Sequence, residues 1–145
     1  MEIMTRDFGK IEIDRSDIIF FKSGLPGFEE LEEFVLLPFA EESPFIIMQS
    51  VKNPDVAFVT GEPGNLISDY EFEISDKVEK SLKIESVSSL LILNIITLKD
   101  NIENSTANLS APIVINLEEK LGRQVILDDQ RYNVRFKIFA AQEEE

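Results

Sequence analysis

Apolar residues in this chain recur with a period of two, in short runs separated by Pro, Gly, Asn and Ser. That rhythm belongs to strands, whose side chains alternate between faces, and not to helices, whose faces repeat at 3.6 residues. In residues 8–14, Gly9, Ile11 and Ile13 alternate with Phe8, Lys10, Glu12 and Asp14. In residues 131–138, Tyr132, Val134, Phe136 and Ile138 alternate with Arg131, Asn133, Arg135 and Lys137. The run Ile18-Ile19-Phe20-Phe21 is wholly apolar, as expected of a strand covered on both faces. Further strands are expected at 34–39, 45–51, 56–60, 88–98, 113–117 and 124–127. Several are bounded by turn chemistry, such as Glu42-Ser43-Pro44, Asn53-Pro54-Asp55 and Gly61-Glu62-Pro63-Gly64.

Two segments read as short helices. After the Gly24-Leu25-Pro26-Gly27 turn, Phe28, Leu31 and Val35 stand at i, i+3 and i+7, which predicts a helix over 28–34 with one buried face. Asp76-Lys77-Val78-Glu79 has the form of a capping box with an acidic N-cap, opening a helix to Lys83 that buries Val78 and Leu82. The fold class expected is therefore mostly β: a small antiparallel β-barrel-like or sandwich domain with one or two short helices. At 145 residues and 43% hydrophobic, with eleven Phe, the chain fits one domain with an ample core. That domain is expected to span 1–141, with the acidic tail 142–145 disordered.

Charge narrows the function. Twenty-eight Asp and Glu face fourteen Lys and Arg, for a net charge of −14, and residues 1–75 hold sixteen acids against five bases. Such a surface does not suit phosphate or nucleic-acid recognition, which rests on Lys and Arg, and it points to a basic protein as partner. It also favours a monomer when free. The chain has no Cys, His or Trp. Disulfides, thiolate chemistry and the commonest metal ligand and general base are thereby excluded. Asp128-Asp129 alone does not make an oxygen-ligated metal loop, so no cofactor and no metal are expected. No apolar run reaches the length of a membrane span, and the N-terminal residues lack the layout of a signal peptide, so a cytoplasmic protein is expected.

Two acidic patches are candidate contact surfaces. Glu29, Glu30, Glu32 and Glu33 crowd the first expected helix without a Lys or Arg among them. There, like-charge neighbours each cost about 0.2–0.5 kcal/mol, and only the first turn is compensated by the dipole. Asp69, Glu71 and Glu73 share one face of an alternating segment whose other face is Tyr70, Phe72 and Ile74. Paired carboxylates there could serve a hydrolase, but no stacking aromatics accompany them and a polar outer face explains them as well. Leu25, set in a turn, is either a core plug or an exposed anchor. Arg131, Arg135 and Lys137 are expected to pair with carboxylates of a neighbouring strand.

Three blocks add a resemblance. Phe21-Lys22-Ser23-Gly24-Leu25-Pro26-Gly27-Phe28-Glu29 resembles the Gly-Leu-Pro-Gly-Phe-Glu signature of the FliW family of flagellar assembly factors. So do Pro44-Phe45-Ile46-Ile47-Met48-Gln49-Ser50 with Ala57-Phe58, and 106–116 with Gln124-Val125-Ile126-Leu127 and Tyr132 after it. Met48 and Glu62 depart mildly from the family pattern. The resemblance implies a non-enzymatic cytoplasmic regulator that binds both flagellin and the translational repressor CsrA. Flagellin export would free the factor to capture CsrA and relieve repression of flagellin mRNA, through a site away from the RNA surface and without binding nucleic acid itself. The alternatives are a direct RNA mimic in the repressor's groove and a carboxylate-based hydrolase. The contact positions expected on charge are Glu29, Glu32, Glu33, Asp69, Glu71 and Glu73, with Leu25 and Tyr70 as apolar anchors.

Overall fold

The structure, a computed structural model, describes residues 1–22, 24–65 and 70–138. The expected tail at 142–145 and the candidate Asp69 lie outside the described residues. Among the described residues eleven strands form: β1 Glu2–Thr5, β2 Gly9–Glu12, β3 Ile19–Phe20, β4 Glu33–Pro38, β5 Phe45–Ser50, β6 Ala57–Gly61, β7 Leu90–Thr97, β8 Thr106–Ala107, β9 Ile113–Asn116, β10 Leu121–Gln124 and β11 Phe136–Lys137. The α-helix among the described residues is α1, Asp76–Ser81. Between sandwich and barrel, the chain adopts the barrel.

Seven strands close on themselves in the order β7-β6-β5-β4-β3-β10-β9, with β9 returning to β7. Every seam is antiparallel except β3 with β10, which run parallel and meet at Leu121↔Phe20. Closure leaves no long unpaired edge, which is how a small all-β domain avoids edge-to-edge association. The eight-residue β7 serves two partners along one edge: residues 90–93 pair with β9 and 96–97 with β8, beyond which lies β11. β1 and β2 form a separate antiparallel pair, and Ile3 of β1 and Ile13, just after β2, pack on Val35 of β4.

The barrel interior is filled by Ile19, Phe21, Phe34, Met48, Leu93, Ile113 and Ile115, with Leu25 buried in the same cluster. Phe21 meets Phe34 edge-on at 5.4 Å. It also lies over Gly122 of β10, where a Cβ would come within 2.5 Å of its ring. A strand glycine here makes room for a neighbouring ring.

Several expected elements change when the chain folds. Residues 28–34 are not helical. Gly24 and Gly27 take φ of +64° and +86°, and Phe28 N–H donates to Leu25 C=O at 2.7 Å, so the chain doubles back in a tight turn. A Cβ on Gly24 would meet Phe28 O at 2.4 Å. The helical spacing then scatters: Phe28 lies across Phe58, Leu31 packs on the barrel core, and Val35 packs on the β1–β2 pair. The run 18–21 is not covered on both faces, because Phe20 points outward and is 41% exposed while Ile19 and Phe21 are buried. The strand expected at 124–127 lies instead at 121–124.

The last expected strand shrinks to Phe136–Lys137, and Val134 is exposed. Asp129 Oδ1 accepts from Arg131 N–H at 3.0 Å and Asn133 Oδ1 from Arg135 N–H at 2.9 Å. Two such side-chain turns compete with the ladder and fold 129–135 into loops. α1 begins one residue earlier than the capping box implied. Ser75 is the N-cap, its Oγ accepting from Val78 N–H at 3.2 Å, while Asp76 falls in the first turn. The helix ends as Lys83 turns to φ +53°, with Val78 and Leu82 buried as expected.

Candidate functional site

The segment 70–75 is not a sheet strand, yet it keeps its alternation. Phe72 and Ile74 are half-buried against Val78, Leu82 and Val114, and Glu71 and Glu73 are exposed. An extended ribbon outside a sheet needs other hydrogen-bond partners. Tyr70 OH donates to Leu109 C=O at 2.5 Å, Asn94 Nδ2 donates to Tyr70 OH at 3.3 Å, and Glu71 N–H donates to Tyr132 OH at 2.8 Å. The two tyrosine rings meet edge-on at 4.6 Å. Burial pushes the Tyr70 phenol above its ordinary value, against the smaller opposing effect of the Asn94 hydrogen bond. Tyr70 therefore ties the ribbon to the barrel wall, and its half-buried ring also lines the adjoining groove.

Beyond the ribbon opens a groove of about 940 Å³. Phe72, Leu90 and Ile92 form its apolar part, with Val87 at 82% exposure, and Glu71, Glu73, Asp128 and Asp129 supply carboxylates. Asp129 also takes Arg131 at 2.8 Å. That bond holds the Asp129 carboxyl below its ordinary value and the guanidinium above its own. The basic residues of 131–137 were expected to pair across strands; Arg131 instead pairs two positions back along the chain and lies over the Tyr132 ring at 5.1 Å. Val87, Leu90, Ile92, Asp128 and Asp129 were absent from the expected contact set. The Asp128-Asp129 doublet was visible as a pair of acids, but only the fold carries it to the side of Glu71 and Glu73.

The other candidates go elsewhere. Leu25 is 2% exposed and belongs to the barrel core, which removes it as an exposed anchor. Glu29 is exposed, and its carboxylate closes the turn by accepting Gly27 N–H at 2.6 Å. Glu32 and Glu33 are half-buried where the chain enters β4, and their backbone carbonyls accept from Phe21 and Val51 N–H. Glu29 lines a second groove, on the flank of α1 that carries Lys77 and Ser81. Glu29 and the Glu71–Glu73 pair thus lie on different grooves, and Glu32 and Glu33 line neither. Among the described residues no three carboxylates converge as a metal site, and no helix is long and apolar enough to cross a membrane.

A closed barrel whose interior is packed with side chains, and whose grooves open on its outer wall, belongs to the class of small β-barrel domains. The comparisons narrow the class. The family model described as FliW protein matches residues 2–138. A flagellar assembly factor FliW of Caldanaerobacter subterraneus subsp. tengcongensis is 44% identical over 139 residues, covering 95% of this chain and 93% of that protein. One of Clostridium botulinum is 37% identical, covering 96% and 97%. A crystal structure of the flagellar assembly factor FliW superposes with a TM-score of 0.91 at 41% identity, covering 96% of this chain and 97% of its own. The chain belongs to the FliW family.

Proposed function

We propose that this chain is a cytoplasmic flagellar assembly factor acting by partner exchange, without catalysis. It holds flagellin in one state and the translational repressor CsrA in the other, so that flagellin export frees it to relieve repression of flagellin mRNA. The reading rests on one observation: kinship with flagellar assembly factors runs along residues 2–138. The acidic groove supports a location for the repressor contact. Carboxylates at Glu71, Glu73 and Asp128 beside an apolar wall suit a peptide that carries basic and apolar side chains, and the net charge of −14 speeds encounter with a basic protein. The free protein acts as a monomer and touches no nucleic acid.

The test is a pull-down from a flagellated host with the tagged chain as bait, in which flagellin and CsrA are the expected prey. Recovery of neither would undercut the assignment. A titration of CsrA–RNA complex with this protein then distinguishes modes of antagonism. A ternary complex, or inhibition that saturates below completion, supports action away from the RNA surface. Strict mutual exclusion supports the RNA-mimic alternative.

A further inference from the structure

Three cations of this acidic chain face a single groove. Lys22, Lys77 and Arg123 line a cleft of about 660 Å³ bounded by the turn after β3, by α1 and by β10. Arg123 Nη1 donates to Ser81 Oγ at 3.3 Å, which holds the guanidinium towards α1. The ion pairs among the described residues are Arg6–Asp7, Lys10–Glu2 and Arg131–Asp129, and none uses these three cations. With twenty-eight carboxylates for fourteen bases, a cation on this surface has no shortage of partners. Among the described residues the one carboxylate on the lining is Glu29, already engaged with Gly27 N–H.

Two further features of the same cleft are independent of charge. Phe20 stands 41% exposed although it lies within a strand, and Leu121 is beside it on the lining. The seam beneath them is also short. β3 has two residues and meets β10 at Leu121↔Phe20 alone, whereas β10 runs on to Gln124 paired only with β9. Residues 122–124 therefore present a strand edge to the groove. A strand edge, an exposed ring and unneutralised cations are the three things an extended acidic peptide needs: backbone partners, an apolar seat and counter-charges.

We propose that this groove docks an extended acidic segment of a partner protein, laid along the open edge of β10 with carboxylates at Lys22, Lys77 and Arg123 and an apolar side chain against Phe20 and Leu121. It is a second surface, opposite in sign to the groove of Glu71 and Glu73 and separate from it across α1. RNA fits it less well. A polyanion would meet the field of the whole chain, while a short peptide brings only the few charges the groove neutralises.

Fluorescence polarisation tests this with a labelled peptide Asp-Glu-Phe-Asp-Leu-Glu, its charge-reversed counterpart, and a uridine hexanucleotide. The acidic peptide is expected to bind, to weaken as salt is raised, and to lose affinity about tenfold or more in Lys77→Glu/Arg123→Glu, as close charge pairs allow. Lys77→Glu alone, at an exposed helix position, should give a smaller loss in the same direction, and far-UV circular dichroism confirms that both variants fold. Amide shifts on binding should centre on Lys22, Lys77 and Arg123. Equal binding of the charge-reversed peptide, equal binding of the hexanucleotide, or shifts centred on Glu71 and Glu73 would each overturn the proposal. Loss of CsrA capture with retained peptide binding would instead count against the function proposed above and leave this site standing.

Discussion

The barrel interior and the ribbon at 70–75 both alternate apolar and polar residues, but they are held in opposite ways. Inside the barrel, Phe21, Phe34, Met48 and Ile113 are fully buried and interlock. The ribbon has no ladder, and its place depends on tyrosine hydroxyls and on Phe72 and Ile74 pressed against α1. Interior side chains cannot change size without moving their neighbours, because protein cores are close-packed. Ribbon side chains that point outward touch no interior group. Stability is thus concentrated in one region, and the freedom to carry exposed carboxylates in the other.

Substitutions should separate the two regions. Leu25→Ala is expected to cost about 2–5 kcal/mol, since it empties a core site 2% exposed, and a urea titration measures the loss. A cost under 1 kcal/mol would mean that the turn relaxes and Leu25 is no plug. Gly122→Val should be comparably damaging, because even its Cβ would stand 2.5 Å from the Phe21 ring.

Next in size is the tether. Tyr70→Phe removes the hydroxyl that donates to Leu109 C=O and accepts from Asn94, for an expected loss of about 1–3 kcal/mol. The same phenol predicts an alkaline effect. Its folded pKa is raised by burial, so its contribution is complete below the ordinary value of 10.0 and is lost as pH climbs through the folded value. In Tyr132→Phe, which leaves Tyr70 the one tyrosine, ultraviolet titration should show ionisation above 10.0. Ionisation at or below that value would show the ribbon to be loose.

Smaller again is the helix cap. Ser75→Ala, which orphans Val78 N–H, should cost about 1 kcal/mol by thermal unfolding. The smallest change in stability falls on the ribbon's outer face. Glu71→Lys/Glu73→Lys should shift stability by no more than about 0.5 kcal/mol, while a pull-down reports loss of CsrA. If CsrA capture is untouched, the acidic groove is not its contact.

Much of this architecture was legible in the chain. Alternation located β2, and short apolar segments, several of them bounded by turn residues, located β4, β5, β6, β7 and β9. Where it failed, local chemistry overrode periodicity. The carboxylate of Asp129 and the amide of Asn133 turned a seemingly regular strand into loops, and two glycines with positive φ turned a helical spacing into a doubled-back turn. The candidate contact set was readable only in part: Glu71 and Glu73 are exposed as expected, whereas Leu25 and Tyr70 are drawn into packing and hydrogen bonding.

Sequence alone determined that this protein would be a small acidic β domain of the FliW kind, because composition, period and motif order are properties of the chain read in line. It could not determine which charges share a surface. Glu71 meets Asp128 across more than fifty positions, and Lys22 meets Arg123 across a hundred, only because β9 returns to β7 and β10 comes to rest beside β3. Barrel closure decides those neighbours, and closure is set by long-range pairing that no local pattern encodes.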